Sequence, residues 1–338
     1  MTDQYKDNNR PVDMSVWQGR TDDEDGNTGL RFHQTVIPAH NATKPGVMLL
    51  GFACDEGVAR NKGRTGAYQS PPVIRRALAN MAWHHSTPVY DSGDIACDDH
   101  NLQDAQNRLS VDIAEALRQQ HFPVVLGGGH EVAWGSFQGI TRYLSQRKGG
   151  RAPRIGIINF DAHFDLRPLS GDSKSGSSGT PFTQAANLCA KNQWPFHYAC
   201  VGVSRTSNTQ ALFNTAEDLG VTVIEDWEVT PETLNNVTKQ LEQFALLCDC
   251  LYLTVDLDVL PASVAPGVSA PAVHGISYPM LETIYRHLLS LRNEDGSRKV
   301  ILADIAEYNP RFDIDNQTAR LAARLVWQLC RSISTEQN

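Results

Sequence analysis

Arg154 to Arg167 reads RIGIINFDAHFDLR. Ile155, Ile157 and Ile158 make a short apolar run rich in β-branched residues, the composition of a buried strand. The run ends on Asp161, His163 and Asp165, with Ala162 and Phe164 between them. Three potential metal ligands at alternate positions do nothing for stability at the end of such a strand. Two carboxylates and an imidazole crowded together repel one another or lose hydration, and a cation among them removes the conflict.

Two other stretches share this design. Leu251 to Asp258, LYLTVDLD, is an apolar strand ending in Asp256 and Asp258. Residues two apart in a strand point to the same face, so both carboxylates are expected in one place. Pro123 to His130, PVVLGGGH, is a short strand followed by three glycines and a histidine. Ligands in open α/β sheets bind outside the carboxyl ends of the strands, where all three segments deliver their polar residues.

The rest of the chain alternates strand and helix. Val47 to Phe52, Pro88 to Tyr90, Tyr198 to Val203, Val221 to Ile224 and Val300 to Ile305 read as further strands. Helical spacing marks Leu102 to Gln120, Val132 to Ser145, Pro231 to Leu247, Tyr278 to Leu291 and Asp315 to Ile333. Regular alternation implies a parallel sheet with helices on both faces, in a single α/β domain. Residues 1–45 are expected to be an extension lying over a catalytic domain of residues 46–338, and Asp91 to Asp99 reads as an acidic connecting segment. Ser170 to Thr180, SGDSKSGSSGT, follows the ligand cluster and reads as an active-site loop.

Composition excludes several classes. A net charge of −8 argues against nucleic-acid binding. No run reaches the length of a membrane-spanning helix, and the polar, acidic N-terminus does not look like a secretory signal. The seven cysteines are scattered, and Cys248 and Cys250 lack the spacing of a redox or zinc motif. The expectation is a cytoplasmic protein with a small-molecule substrate, further copies of itself as partners, and no membrane or nucleic-acid partner.

His130, Asp161, His163, Asp165, Asp256 and Asp258 exceed what one ion needs. They suit two divalent ions sharing carboxylates, and oxygen-rich ligation with imidazole and no thiolate suits manganese, with Mg²⁺, Fe²⁺, Co²⁺ and Zn²⁺ also admissible.

GGGH (127–130), DAHFD (161–165), DLDVLPASVAPG (256–267) and DIAEYNP (304–310) together resemble the signature set of the ureohydrolases, the arginase and agmatinase superfamily. The likeness runs from about Val47 to the C-terminus. It implies an arginase-like three-layer α/β/α domain with a central parallel sheet of about eight strands. It also implies two Mn²⁺ per subunit and hydrolysis of a C–N bond in an amidine or guanidine. By motif position, His130, Asp161, Asp165 and Asp256 would hold one ion, and Asp161, His163, Asp256 and Asp258 the other. Asp165 would handle the proton of the attacking hydroxide, and Glu307 would grip the cationic nitrogens of the substrate through charge-assisted hydrogen bonds.

The departures narrow the substrate. Arginases carry a shuttle histidine after this motif, whereas Ser178 stands here, in SGSSGTP. His274–Gly275 replaces a paired glycine. VWQGRTD (16–22), RFHQ (31–34), RNKGRTGA (60–67) and VGVSRTSNT (201–209) resemble the histidine-degrading branch of the superfamily, which implies hydrolysis of N-formimidoyl-L-glutamate to L-glutamate and formamide. Its dicarboxylate end gives Arg60, Arg64 and Arg205 a purpose, with Asn208 and His274 as further substrate contacts. The alternatives are an agmatinase or guanidino-acid hydrolase, a non-catalytic scaffold of the same fold, and a metal-dependent deacetylase. The intact ligand set speaks against the scaffold, and the lack of paired histidines beside GGGH against the deacetylase.

Overall fold

Strands of four to eight residues and the helices between them build one sheet with helices on both faces. The computed structural model describes residues 9–10, 12–145, 152–169 and 175–334. The main strands are β1 (Val47–Ala53), β2 (Val89–Ala96), β3 (Phe122–Leu126), β4 (Ile155–Phe160), β5 (His197–Val203), β6 (Thr222–Glu225), β7 (Cys250–Asp256) and β8 (Val300–Ala306). All run parallel, in the order β2-β1-β3-β8-β7-β4-β5-β6. Two short strands extend the β2 edge: Ile37–Pro38 pairs parallel with β2 and Asn9–Arg10 antiparallel. The four strands bearing the sequence motifs, β3, β8, β7 and β4, are neighbours at the centre of the sheet.

The helices are α1 (Ser70–Ala79), α2 (Leu102–Arg118), α3 (Val132–Leu144), α4 (Pro181–Asn192), α5 (Gln210–Asp218), α6 (Leu234–Leu246), α7 (Tyr278–Ser290) and α8 (Gln317–Ser334). Strand residues alternate between two cores, as the pleat requires. Leu49, Val124, Leu253 and Ile305 pack with α1, α6, α7 and α8. Leu50, Val125, Tyr252 and Leu302 pack with α2 to α5 on the other face. Burial on both faces explains why these strands read as continuous apolar runs. No helix among the described residues is long and apolar enough to cross a membrane.

β2 runs further than its sequence suggests, to Ala96 through Asp91 and Asp94. Asp91 is wholly buried. The Arg75 guanidinium of α1 meets it at 2.8 Å and reaches Asp94 at 2.5 Å, while Trp17 Nε1 donates to the Asp91 Oδ2 at 2.8 Å. Aspartates that look like loop residues are thus strand residues with buried partners. Trp17 and the buried Phe32 fasten the N-terminal segment to this edge. In the serine-rich loop, residues 170–174 lie outside the described residues.

His85 lies in the linker between α1 and β2, with its ring edge-on to Phe32, Trp83 and Trp327 at 4.9–5.4 Å. Neither ring nitrogen has a hydrogen-bond partner among the described residues. Burial, with the charges of His84 and Arg331, pushes His85 down to about 4. The unfolded chain binds a proton on this residue near its ordinary value of 6.5 that the folded chain refuses. Stability should therefore be level in this respect above pH 6.5 and fall as the pH drops towards 4. His85→Phe should reduce the loss of Tm between pH 7.5 and pH 5, measured by thermal denaturation; an unchanged loss would contradict the assignment.

Candidate metal centre

The turn from β3 into α3 places His130. Gly127 N donates to Ile305 O and Gly129 N to Cys54 O, stitching the turn to β8 and to the end of β1. A Cβ on Gly128 would lie 1.7 Å from the Cys54 carbonyl oxygen, so only glycine passes there. His130 is buried, and its Nδ1 makes no hydrogen bond. That nitrogen lies 3.1 Å from Asp161 Oδ2, 2.8 Å from Asp165 Oδ2 and 3.3 Å from Asp256 Oδ2.

β4 ends at Phe160, and the segment beyond it alternates. Ala162, Phe164 and Leu166 are buried in the core, while His163, Asp165 and Arg167 line a cleft. Asn208 holds this segment: its Oδ1 accepts from Phe164 N and its Nδ2 donates to Ala162 O. Asp165 sits at φ +48° and Glu307 at φ +63°, left-handed conformations uncommon for residues other than glycine. Such strain clusters where function fixes a side chain.

Asp258 arrives by a different route from the one its spacing suggests. β7 stops at Asp256, and Leu257–Val259 forms a single 3₁₀ turn whose first amides are capped by Asp256 Oδ1, 2.9 Å from Asp258 N. The turn, rather than the pleat, brings the two carboxylates together. His163 Nδ1 then lies 3.0 Å from Asp258 Oδ2 and 3.5 Å from Asp161 Oδ1.

Two ligand groups result: His130, Asp161, Asp165 and Asp256, and Asp161, His163 and Asp258, each with donor atoms within 4.8 Å of one another. Asp161 belongs to both, one oxygen toward each histidine. Asp256 falls in the first group only. The electrostatics show what such a set demands. Burial, then the charges of Asp258 and Asp161, push Asp256 well above the usual carboxylate range. Burial and the Asp161 charge raise Asp165 to about 6. Burial alone would lower both histidines, but the surrounding carboxylates outweigh it and hold them well above the ordinary histidine range. Protons on the rings relieve part of the repulsion; divalent cations relieve it with more charge and accept the unused Nδ1 of His130. An oxygen-rich donor set with two imidazoles and no thiolate fits such ions.

Glu307 follows β8 at the cleft wall. Its Oε1 accepts from His130 N at 2.8 Å, and its buried Oε2 has no partner among the described residues. Burial, then the nearby Glu131 carboxyl, push it well above the usual range. The cleft has a volume of about 220 Å³. Asn61, Ser178 and Ser269 line its upper walls, and Asn61 Nδ2 donates to Ser178 Oγ at 3.2 Å.

The expected carboxylate-binding arginines lie elsewhere. Arg60 pairs with Glu56 one helical turn earlier and donates to the carbonyls of Gly176 and His100. Arg64 donates to Val268 O and Ser269 O and stacks over Phe312. Arg205 makes a two-pronged ion pair with Glu225 and lies over Phe213. His274 is exposed and pairs with Asp226. None of the four lines the cleft; Asn208 does, with its amide committed to the ligand segment. Arg167 lines the cleft and has no ion pair or side-chain hydrogen bond among the described residues. Its signal was present: it continues the alternation Asp161, His163, Asp165 by one more step.

The family model described as the arginase family matches residues 45–331. A formimidoylglutamase of Photobacterium profundum is 56% identical over 349 residues, covering 95% of this chain and 96% of the relative. One of Aliivibrio fischeri is 54% identical over 341 residues, covering 97% of both. Among solved structures, a formimidoylglutamase of Bacillus subtilis superposes with a TM-score of 0.79 at 22% identity, covering 91% of this chain and 93% of that one. A Trypanosoma cruzi formiminoglutamase with Mn²⁺ superposes with a TM-score of 0.75 at 23% identity, covering 87% and 96%. These two share the fold with this chain.

Asp161→Ala removes the residue common to both ligand groups. It should abolish most bound metal while the sheet, held by its two apolar cores, stays folded. Asp258→Ala should cost one ion and spare the group around His130. Metal analysis of the purified variants decides this: an Asp161→Ala chain that keeps two ions would refute the shared role.

Proposed function

The chain belongs to the arginase family and is a hydrolase, and from that premise we propose that it cleaves N-formimidoyl-L-glutamate to L-glutamate and formamide. The observation that carries this reading is the 54–56% identity, over nearly the whole chain, to proteins named formimidoylglutamase. The cleft supports it chemically. Among the described residues, Glu307 has one carboxylate oxygen free and Arg167 has no ion pair, and both line the same cleft. The substrate is likewise divided, with a cationic amidine at one end and two carboxylates at the other.

The ions are proposed to be two Mn²⁺, held by His130, Asp161, Asp165 and Asp256 and by Asp161, His163 and Asp258. When bound, they supply Lewis acidity and a nucleophilic water at neutral pH. The chain's own groups do the rest. Glu307 Oε2 accepts hydrogen bonds from the amidinium nitrogens and fixes the formimidoyl carbon over the ligand cluster. Asp165 takes the proton of the attacking water and returns it to the departing amine. The bond between the formimidoyl carbon and the glutamate nitrogen breaks; the oxygen of water becomes the carbonyl oxygen of formamide. Ser178 holds Asn61 in place and takes no part in proton transfer, since a hydroxyl gives up its proton too reluctantly near neutral pH. Arg167 binds a substrate carboxylate. We place this activity in the cytoplasm, in keeping with seven cysteines that are all buried and free.

Arg167→Glu should raise KM for formimidoylglutamate about 10- to 100-fold, the worth of one charge-assisted hydrogen bond of roughly 1.5–3 kcal/mol. Metal content should not change. Charge reversal at Arg60, Arg64 or Arg205 should affect KM far less. The wild type should release formamide from formimidoylglutamate and negligible urea from agmatine or arginine. Steady-state assays of both products decide it. A wild type that prefers agmatine would overturn the substrate assignment, and an Arg167→Glu enzyme with unaltered KM would overturn the role of Arg167.

A further inference from the structure

Asp304 is a buried carboxylate with no part in the chemistry above. It sits on β8 with no solvent exposure, and no ion pair to it is found among the described residues. Burying such a group is costly unless hydrogen bonds compensate. Hydroxyls do so here. Ser136 of α3 donates to Asp304 Oδ2 at 2.6 Å, and the Tyr252 hydroxyl of β7 donates to the same oxygen. Thr254 is the register partner of Asp304 on the adjacent strand. Asp304 Oδ1 is buried and accepts no hydrogen bond among the described residues, an acceptor left open beside Thr254.

Thr254 Oγ1 lies 3.0 Å from His130 Nε2, the ring nitrogen that faces away from the ligand cluster. All of these groups are on one face of the sheet: Tyr252, Thr254 and Asp256 follow the pleat along β7, and Asp304 stands beside Thr254. We propose that Asp304 and Thr254 are positioning residues that fix the tautomer of His130. In this arrangement the Thr254 proton is directed at the open Oδ1 of Asp304, and the Thr254 oxygen accepts from His130. His130 must then carry its proton on Nε2, and the lone pair of Nδ1 faces Asp161, Asp165 and Asp256, where an ion would sit. The arrangement also sets the ring plane, since Nε2–H has a single direction in which to donate.

This inference rests on the metal reading and not on the choice of substrate. It is tested on the full chain with Mn²⁺ titrations by calorimetry. Thr254→Val removes the acceptor and should weaken Mn²⁺ binding about 10- to 100-fold, the usual effect of losing an outer hydrogen bond to a ligating histidine. Thr254→Ser keeps the hydroxyl and should bind like the wild type. Asp304→Asn offers an N–H that can turn the Thr254 proton toward His130 and favour the wrong tautomer. In the zinc-loaded chain, ¹⁵N-histidine NMR should show His130 protonated at Nε2 in the wild type and in Thr254→Ser, with that signal lost or mixed in Asp304→Asn. Equal weakening in Thr254→Val and Thr254→Ser would mean packing alone and overturn the proposal. So would unchanged affinity in Thr254→Val, or a wild-type His130 protonated at Nδ1. A wild type that binds no Mn²⁺ would overturn the metal reading and this inference with it, whatever substrate the enzyme prefers.

Discussion

Mutual repulsion among four buried aspartates governs this molecule. Asp161, Asp165 and Asp256 offer oxygens within 4.8 Å of one another, Asp161 and Asp258 do likewise, and all four are buried, with Asp165, Asp256 and Asp258 lining the cleft. Left alone, such a group would be among the costliest features a fold could carry. The fold makes the convergence possible by placing β3, β8, β7 and β4 side by side and ending each at the same edge. Around it, rigidity comes from the apolar cores on both faces and from backbone constraints at the turns. Gly128 lets the chain pass against Cys54, and Asp165 and Glu307 accept left-handed conformations. Strain and charge repulsion are thus concentrated where a cation can offset them.

The sheet has a polarity of composition as well as direction. At the pleat positions facing α2 to α5, apolar residues give way to polar ones toward the carboxyl ends: Ile157, Asn159 and Asp161 in the β4 segment, Tyr252, Thr254 and Asp256 in β7, Leu302 and Asp304 in β8. Each polar residue leans on another. Asn159 Nδ2 donates to Asp161 Oδ2 at 2.9 Å and to the Tyr198 hydroxyl oxygen at 3.1 Å. The ligands therefore rest on a polar layer that grades into the apolar core, which keeps their rotamers fixed without exposing the sheet to water.

The candidate ligand residues stand out in the sequence because they follow apolar runs of the kind central strands have, and the structure gathers them into two groups. The strand–helix alternation was legible for the same reason. β2 was cut short because Asp91 and Asp94 look like loop residues; their partners, Arg75 and Trp17, are distant in sequence and nothing local announces them. The route to Asp258 was misread because a strand and a strand followed by a turn have the same spacing at two residues. The arginines expected at the substrate, Arg60, Arg64 and Arg205, do not line the cleft, and their partners are not announced locally. Arg205 is neutralised by Glu225, twenty positions on, and Arg64 by carbonyls of the Val268–Ser269 segment. Which cation is left unpaired is a property of tertiary structure. Arg167, the arginine proposed for the substrate, stands at the next alternate position after Asp165 and lines the cleft.

The central claim is that one carboxylate, Asp161, organises two ion sites of unequal composition. Anomalous diffraction at the manganese edge, from crystals of the full chain grown with Mn²⁺, tests it most directly. The account predicts two anomalous peaks per chain, one among His130, Asp161, Asp165 and Asp256 and one among Asp161, His163 and Asp258, with Asp161 touching both. A single peak, or two peaks that share no Asp161 oxygen, would contradict it.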